Sequence, residues 1–284
     1  MKRILVTGAT GNIGRQVVNQ LLSTDCQVRS LTRNPDRVGV DLPRQVKVVR
    51  GDFTDLNSLD SCFDGIDAVF LVWTVPGNTA PEVINRIARR AQRIVLLTSP
   101  HKTPHPFFQQ PNPVQVLHAT LERLIEESGL QWTFLRPGMF AANALGWWAP
   151  QIRVGDIICW PYAESPTAPI HEQDIAAVAV HALLESLHDR AEYVLTGPES
   201  LTQSAQVMTI GEVIGRTLRY EEMSPEEALR DLPFPATASK MLLDAWAAAL
   251  GQPAYVTSTV REITGKPARS FRDWVLDNAQ QFQA

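Results

Sequence analysis

Three glycines near the amino terminus, Gly8, Gly11 and Gly14, stand at a spacing that can cradle a phosphate. An apolar run over 4–6 predicts a buried strand before them, and the helical spacing of apolar residues over 17–22 predicts a helix after them. Gly8 permits the tight turn off the strand, Gly11 lets backbone approach a pyrophosphate, and Gly14 lets the helix pack closely on the sheet. The first N–H groups of that helix then point at the phosphates, so the pattern predicts a dinucleotide site. The residues predicted to form it are Gly8, Thr10, Gly11, Asn12, Ile13 and Gly14.

The residue at the end of the second predicted strand discriminates between NADH and NADPH. In sites that prefer NAD, an acid about 20 residues past the glycines binds the ribose hydroxyls. This position is Arg33, with Arg37 close behind it in the sequence. A guanidinium makes charge-assisted hydrogen bonds to the 2′-phosphate of NADP, which a carboxylate would repel. The sequence therefore predicts NADP(H) as the cofactor, and the alternative for Arg33 is an ordinary surface arginine.

Residues at the ends of later predicted strands complete the expected cofactor site. Asp52 follows the third strand, where a carboxylate can accept from the adenine amino group, although a plain turn aspartate fits equally well. Trp73 ends the fourth strand and is expected to pack along the cofactor. Met139 follows the sixth strand and is expected near the nicotinamide, with core packing as the alternative. The predicted contacts outside the glycine loop are Thr32, Arg33, Asp52, Phe53, Trp73, Thr74, Thr98, Pro137, Gly138 and Met139.

Apolar β-rich runs alternate with helical patterns through the first half of the chain, which is typical of βαβ units. The predicted strands are 2–7, 27–32, 46–50, 68–73, 93–98 and 132–135, and the predicted helices are near 13–24, 56–63, 80–91 and 114–128. Right-handed crossovers between such units give an α/β fold with a Rossmann-like, doubly wound parallel sheet. Its cofactor site is expected at the carboxyl ends of the strands.

The second half of the sequence is mostly helical. Strands are predicted near 156–160 and 191–196, and helices near 172–187, 204–217, 225–230, 236–249 and 269–282. We expect an NADP-binding Rossmann domain over 1–150 and a smaller C-terminal substrate-binding lobe over 151–284. The lobe is expected to interleave with the first domain and not to fold independently. The proline-rich segment 100–113 follows a strand and is a candidate lid.

Length, composition and charge limit the classes of partner. The chain has 284 residues, 44% of them hydrophobic, which is enough for one large domain or a domain with a lobe. A net charge of −4 and a pI near 5.9 argue against nucleic acid or an anionic membrane as a partner. No apolar run approaches the roughly 20 residues that span a bilayer.

Three well-separated cysteines fit reduced thiols, so a cytoplasmic location is expected. His101 and His105 have a metal-ligand spacing only on a helix, which the prolines beside His105 prevent, so no metal site is expected.

The start of the chain, Thr7 to Gly14, resembles the short-chain dehydrogenase/reductase superfamily. Ordinary members carry a Tyr-x-x-x-Lys pair on the helix after the fifth strand, where tyrosine protonates the nascent alkoxide and lysine lowers the tyrosine pKa. The corresponding helix here carries His118 and Glu122 instead, four residues apart on one helical face, and Glu122 is expected to orient the His118 ring. A lysine four residues on is lacking at every tyrosine, namely Tyr162, Tyr193, Tyr220 and Tyr255.

Several further segments are similar to the NmrA-like branch of the atypical short-chain dehydrogenases/reductases. They are His118-x3-Glu122, the segment SGLQWTFLRPGMF over 128–140, GDFTD over 51–55, DIA over 174–176, YVLTGP over 193–198 and GKPARSF over 265–271. That branch includes NADPH-dependent quinone reductases, triphenylmethane-dye reductases and iminium reductases, and also redox sensors that bind NADP without turnover. The resemblance implies NADP(H) as the cofactor. It places His118 where the usual lysine stands, near the nicotinamide ribose, and Ser99 at the same end of the cofactor.

The resemblance implies a catalytic or cofactor-holding role for His118 and Ser99. A histidine packed between helix and sheet, and a serine that caps a turn, are the alternatives. Hydride transfer to a ketone leaves an alkoxide that needs a proton, and the sequence shows no good acid for it. A quinone, an iminium ion or a conjugated dye demands less proton transfer, so an NADPH-dependent reductase of such acceptors is expected. The alternative is a non-catalytic NADP(H) sensor that acts through a protein partner.

Aromatic residues predicted near the substrate suit a flat or cationic ligand. Trp and Phe faces attract such ligands by stacking and by cation–π interaction, worth about 0.5–2 kcal/mol each. Core packing of the same residues is the alternative. The predicted substrate contacts are Phe140, Trp147 and Trp148. Asp174 stands at the start of the helix predicted from 172 and resembles a family residue that ties that helix down, so a structural role is expected for it.

Overall fold

The computed structural model of the chain describes residues 1–35 and 42–283. Its strands are β1 (Lys2–Thr7), β2 (Cys26–Thr32), β3 (Lys47–Arg50), β4 (Ala68–Val72), β5 (Arg93–Leu97), β6 (Gln131–Pro137), β7 (Ile157–Trp160), β8 (Pro166–Thr167), β9 (Ala191–Leu195), β10 (Leu201–Thr202) and β11 (Arg219–Glu222). Its α-helices are α1 (Asn12–Leu21), α2 (Ala80–Ala88), α3 (Pro113–Glu127), α4 (Asn143–Trp147), α5 (Ala149–Val154), α6 (Glu172–Leu184), α7 (Gln203–Ile214), α8 (Pro225–Asp231), α9 (Ala236–Ala249), α10 (Thr259–Thr264) and α11 (Phe271–Asn278).

Seven strands form the main sheet in the order β3-β2-β1-β4-β5-β6-β9. The pairs from β3 through β6 are parallel. Strands β1, β4 and β5 lie inside the sheet, and their apolar runs are almost completely buried because helices cover both faces of a parallel sheet. The strand order reverses between β1 and β4, which is where ligands bind in open sheets of this kind. The predicted Rossmann-like fold class and the mostly helical C-terminal region are confirmed.

The described residues pack into two compact units. The first unit comprises Met1–Ser99, Pro113–Pro137 and Glu172–Val194, and the second comprises Pro100–Asn112, Gly138–His171 and Leu195–Ala284. The first unit contains the parallel sheet together with α1, α2, α3 and α6. The second contains two small sheets, β8 with β10 and β7 with β11, and the remaining helices. Each unit is therefore assembled from separated segments of the chain.

Several predicted elements differ from those in the structure. The predicted helix over 56–63 is a short 3-10 turn, Leu56–Ser58. Its backbone groups are claimed by local side chains: the Ser58 hydroxyl donates to the Asp55 carbonyl at 2.6 Å, and Asp55 accepts from the Asn57 N–H. Such side-chain bonds compete with a helix. Helices α4, α5 and α10 were not predicted either, and they are only five or six residues long.

Helix α11 begins with a capping box whose strength depends on pH. The Ser270 hydroxyl accepts from the Asp273 N–H at 3.1 Å, and the Asp273 carboxylate accepts from the Ser270 hydroxyl and N–H at 2.7 and 2.9 Å. These hydrogen bonds from Ser270 hold the pKa of the Asp273 carboxyl below its usual value. The stabilisation is therefore fully present above the unfolded pKa, near 4, and is lost as pH falls through the lower folded pKa.

We predict that Asp273→Asn lowers the free energy of unfolding by up to about 1 kcal/mol at neutral pH, because the cap is weakened. The difference from the unchanged protein should shrink as pH falls below about 4, where the wild-type carboxyl also becomes neutral. Urea unfolding at several pH values measures both. Asp25→Asn at an exposed aspartate is the control. A difference that stays constant down to the acid limit would contradict the predicted role of the charge.

Candidate functional site

A cleft of about 320 Å³ lies at the carboxyl ends of β1, β2, β3 and β4, in the first unit. It lies at the point of strand reversal, as expected for a dinucleotide site. Many of the residues predicted from the sequence as cofactor contacts line it together. They are Gly8, Thr10, Gly11, Thr32, Arg33, Asp52, Phe53 and Thr74. The structure thus brings residues from four separate strand ends to one cavity.

The glycine loop requires glycine at two of its positions. Gly8 has φ +63°, a left-handed conformation that other residues rarely adopt. A Cβ added at Gly14 would lie 2.1 Å from the Gly8 carbonyl oxygen, so only glycine allows α1 to approach the loop this closely. Asn12, Ile13 and Gly14 form the first turn of α1, and no described side chain caps that end of the helix. Its first N–H groups are suited to bind a phosphate.

Arg33 is an exposed side chain at the rim of the cleft, directly after β2. Across the cleft, the Thr54 N–H donates to the Asp52 carboxylate at 2.8 Å and is the main cause that holds the pKa of Asp52 below its usual value. Burial opposes this effect, and the positive charge of Arg33 adds to it. The cleft therefore carries both an ionised carboxylate and a guanidinium, and the guanidinium is of the type that binds a 2′-phosphate. Arg37 lies outside the described residues.

Trp73 supports the cleft from below its surface. Its ring stacks on Phe53 with 4.9 Å between centroids and 17° between planes, and its Nε1–H donates to the Val75 carbonyl at 2.6 Å. Both rings are only 6% exposed, and Phe53 is the one of the two that lines the cleft. Direct packing of Trp73 along the cofactor stays a prediction, and its observed contact is with Phe53.

A second group of predicted residues lies at the ends of β5 and β6 in the same unit. Ser99 follows Thr98 at the end of β5, and His118 is half-buried on α3. Thr98 donates from its hydroxyl to Glu122 at 2.9 Å, and its N–H donates to the end of β6. Glu122 is buried and binds Arg136 through both carboxylate oxygens, at 3.1 and 2.6 Å. That Glu122 also orients the His118 ring stays a prediction. Sequence reasoning missed Arg136, although an arginine inside an apolar strand is a signal of a buried partner.

Gly138 and Met139 lie in the second unit, where they line a small cavity of about 10 Å³. The same cavity is lined by Phe107, Phe108 and Tyr255, which sequence reasoning did not single out. Pro137 is buried at the end of β6. Phe140 is half-buried and forms an isolated bridge with Ile170. Its contact with a substrate stays a prediction.

Trp147 and Trp148 belong to the hydrophobic core of the second unit. The Trp147 ring lies 5.9 Å from Trp160 and 5.4 Å from Trp246, and Trp148 is fully buried. Within the described residues, their observed contacts are those of core packing. Substrate contact by either ring stays a prediction.

The part of the chain that the structure describes, residues 1–35 and 42–283, contains no helix with the length and apolar character of a membrane span. It also contains no group of three His, Cys, Asp or Glu side chains placed to hold a metal ion. His105 instead caps the turn Pro106–Phe108, since its Nδ1 accepts from the Phe107 N–H at 3.3 Å.

Comparison with known proteins supports NAD(P)H as the cofactor of this chain. Residues 8–186 match the NAD(P)H-binding family. The chain is 36% identical to a (4-alkanoyl-5-oxo-2,5-dihydrofuran-3-yl)methyl phosphate reductase of Streptomyces griseus, over 98% of this chain and 99% of that protein. It is 30% identical to an NAD(P)H azoreductase of Xenophilus azovorans, over 99% of each chain. Its fold matches the Escherichia coli NADPH-dependent quinone oxidoreductase QOR2, solved with NADPH, at a TM-score of 0.82 and 22% identity over 97% of this chain and 99% of that one. The chain therefore belongs to the NAD(P)H-binding family, and it is an NAD(P)H-dependent oxidoreductase, as the NmrA-like resemblance implies.

Proposed function

We propose that the protein reduces small, electron-poor conjugated molecules, such as quinones, iminium ions or dyes, with NADPH as the hydride donor. The observation that carries the proposal is the make-up of α3, whose fifteen residues include neither tyrosine nor lysine. The resemblance places His118 of this helix where the usual lysine stands. The tyrosines lie elsewhere. Tyr193 is on β9, where its hydroxyl bonds to His188 Nδ1 at 2.8 Å, and Tyr220 on β11 donates to the Pro161 carbonyl at 2.9 Å.

The first unit fits a dinucleotide. Gly14 lets α1 pack against the loop, because any Cβ there would overlap the Gly8 carbonyl oxygen, and the uncapped start of α1 suits the pyrophosphate. Arg33 is the group that binds the 2′-phosphate, and the ionised Asp52 accepts from the adenine amino group. When bound, NADPH would supply a hydride, which is a proton with two electrons, to the acceptor and leave as NADP⁺. His118 and Ser99 hold the nicotinamide end and its ribose.

The acceptor class follows from what α3 lacks. A plain ketone reduced by hydride becomes an alkoxide, and a well-placed acid must protonate it within the transition state. A quinone, azo, iminium or cationic dye acceptor spreads the incoming electron pair over a conjugated system and needs less help. The names of the azoreductase and of the dihydrofuranyl phosphate reductase support conjugated acceptors for this chain as well. The cytoplasmic location that the cysteines predict is part of the same proposal.

The proposal is tested by following NADPH consumption with purified protein. We expect turnover with at least one of a quinone, an iminium ion, an azo dye or a cationic triarylmethane dye, and a kcat/KM at least ~100-fold lower for an unactivated aliphatic ketone. Efficient reduction of the aliphatic ketone would contradict the proposed acceptor class. Tight binding of NADPH and NADP⁺ with similar affinities, without turnover of any acceptor, would instead indicate a redox sensor that acts through a protein partner.

A further inference from the structure

A group of four side chains, three of them buried and the fourth, Glu192, partly exposed, joins α3 to β5, β6 and β9 in the first unit. Arg136 donates from Nε and Nη2 to the two carboxylate oxygens of Glu122, at 3.1 and 2.6 Å. Glu122 also accepts from the Thr98 hydroxyl at 2.9 Å, and Nη1 of Arg136 donates to Glu192. We call Thr98, Glu122, Arg136 and Glu192 the strand-end network. It connects four elements through one guanidinium and two carboxylates.

The burial of the Glu122–Arg136 pair indicates that this pair sets the relative position of secondary-structure elements more than it stabilises the fold. The side chains of Glu122 and Arg136 are only 2% and 3% exposed. Removing two charges from water costs about as much as their attraction returns, so apolar replacements of buried pairs are often neutral or stabilising. A bidentate pair of hydrogen bonds between a guanidinium and a carboxylate fixes both the distance and the angle between the two groups, which apolar packing does not. The pair is therefore suited to keep elements in register.

Members of the network stand beside residues predicted to hold the nicotinamide end. Thr98 directly precedes Ser99. Glu122 follows His118 by four residues, which is one turn of α3. The two hydrogen bonds from Arg136 to Glu122 thus connect the helix that carries His118 to the end of β6. The hydroxyl of Thr98 ties the same carboxylate to the residue before Ser99.

We propose that Glu122 and Arg136 are positioning residues that hold His118 and Ser99 in a fixed relation for hydride transfer. The inference rests on the proposed function. An error of about 1 Å in such a relation can cost 100-fold in rate, while binding of substrate and cofactor changes little. Loosening the pair should therefore lower kcat and leave affinities almost unchanged.

The first test is Glu122→Gln, which keeps the size of the side chain and removes its charge. We expect kcat to fall by about 10- to 100-fold, with the Kd for NADPH and the KM for the acceptor within about threefold of wild type. Glu127→Gln on the same helix is the matched control. It breaks an exposed pair with Arg123 at 3.0 Å and should leave kcat, KM and Kd unchanged.

The second test separates position from stability. The double variant Glu122→Leu with Arg136→Leu removes both charges together, and we expect its Tm to stay near that of wild type. Its kcat should remain as low as that of Glu122→Gln. A double variant with wild-type Tm and wild-type kcat would overturn the inference, because packing alone would then suffice.

A third readout keeps the inference distinct from the proposed function. If the wild-type protein reduces no acceptor, the proposed function fails, but the emission of bound NADPH still reports the surroundings of its nicotinamide ring. With both proteins saturated, a changed emission in Glu122→Gln and an unchanged emission in Glu127→Gln support the positioning role. Identical emission in all three proteins overturns it.

Discussion

Arg33→Glu is expected to weaken NADPH binding by about 100-fold or more and to improve NADH binding relative to NADPH. Charge-assisted hydrogen bonds to the 2′-phosphate are worth about 1.5–3 kcal/mol, and the new carboxylate would also repel that phosphate. NADH lacks the phosphate, and a carboxylate at this strand end can accept from its ribose hydroxyls. Fluorescence titration with both cofactors at one fixed ionic strength measures the change.

The matched control for this prediction is Arg89→Glu. Arg89 is exposed in the same unit, and its substitution changes the net charge by the same amount away from the cleft. Its cofactor preference should remain that of wild type. A preference for NADPH that survives Arg33→Glu would mean that another residue binds the 2′-phosphate, and the assignment of Arg33 would be wrong.

Gly14→Ala is expected to destabilise the protein by about 3 kcal/mol or more and to abolish cofactor binding. The added Cβ would lie 2.1 Å from the Gly8 carbonyl oxygen, 2.6 Å from the Gly8 carbonyl carbon and 2.9 Å from the Ala9 Cα. All three are backbone atoms, so no side-chain rotation can relieve the overlap. Either α1 moves away from the loop or the loop loses the conformation that receives a pyrophosphate. Thermal unfolding and an NADPH titration measure the two effects.

Gly146→Ala shows what the same substitution does without the overlap. Gly146 lies within α4, and a Cβ there would have no neighbour within 4 Å. Alanine has the higher helix propensity, so this variant should be unchanged or up to about 1 kcal/mol more stable, with normal NADPH binding. Equal stability of the Gly14→Ala and Gly146→Ala variants would contradict the close packing of α1 on the loop.

The cofactor cleft could be predicted from the sequence because its parts follow a local rule. The apolar runs mark buried strands, and the carboxyl ends of parallel strands converge at one edge of a sheet. Residues that directly follow those runs, such as Gly8, Arg33, Asp52 and Thr74, must then lie near one another. The structure places these four on one cleft. Their separation in the sequence is large, yet strand order alone brings them together.

The strand-end network could not be predicted in the same way. Glu122 stands one helical turn from His118, and local spacing predicts only that the two side chains share a helical face. The observed pairing with Arg136 depends on how α3 packs on β6, which spacing does not specify. The small cavity that Phe107 and Tyr255 line in the second unit could not be predicted for the same reason, since residues far apart in the sequence meet there through tertiary packing. The helix predicted over 56–63 was wrong for a local reason, because hydrogen bonds of the Ser58 and Asp55 side chains favour a turn there.

Direct transfer of hydride is the central claim, and an isotope label tests it. Two samples of NADPH, each with deuterium on one of the two faces of the transferable ring carbon, would be mixed separately with the protein and an acceptor that is reduced at carbon, such as a cationic triarylmethane dye or an iminium ion. We predict that the reduced product contains one deuterium with one of the two samples and none with the other. Loss of NADPH without deuterium in the product, or no reduction of any conjugated acceptor by protein that binds NADPH tightly, would contradict it.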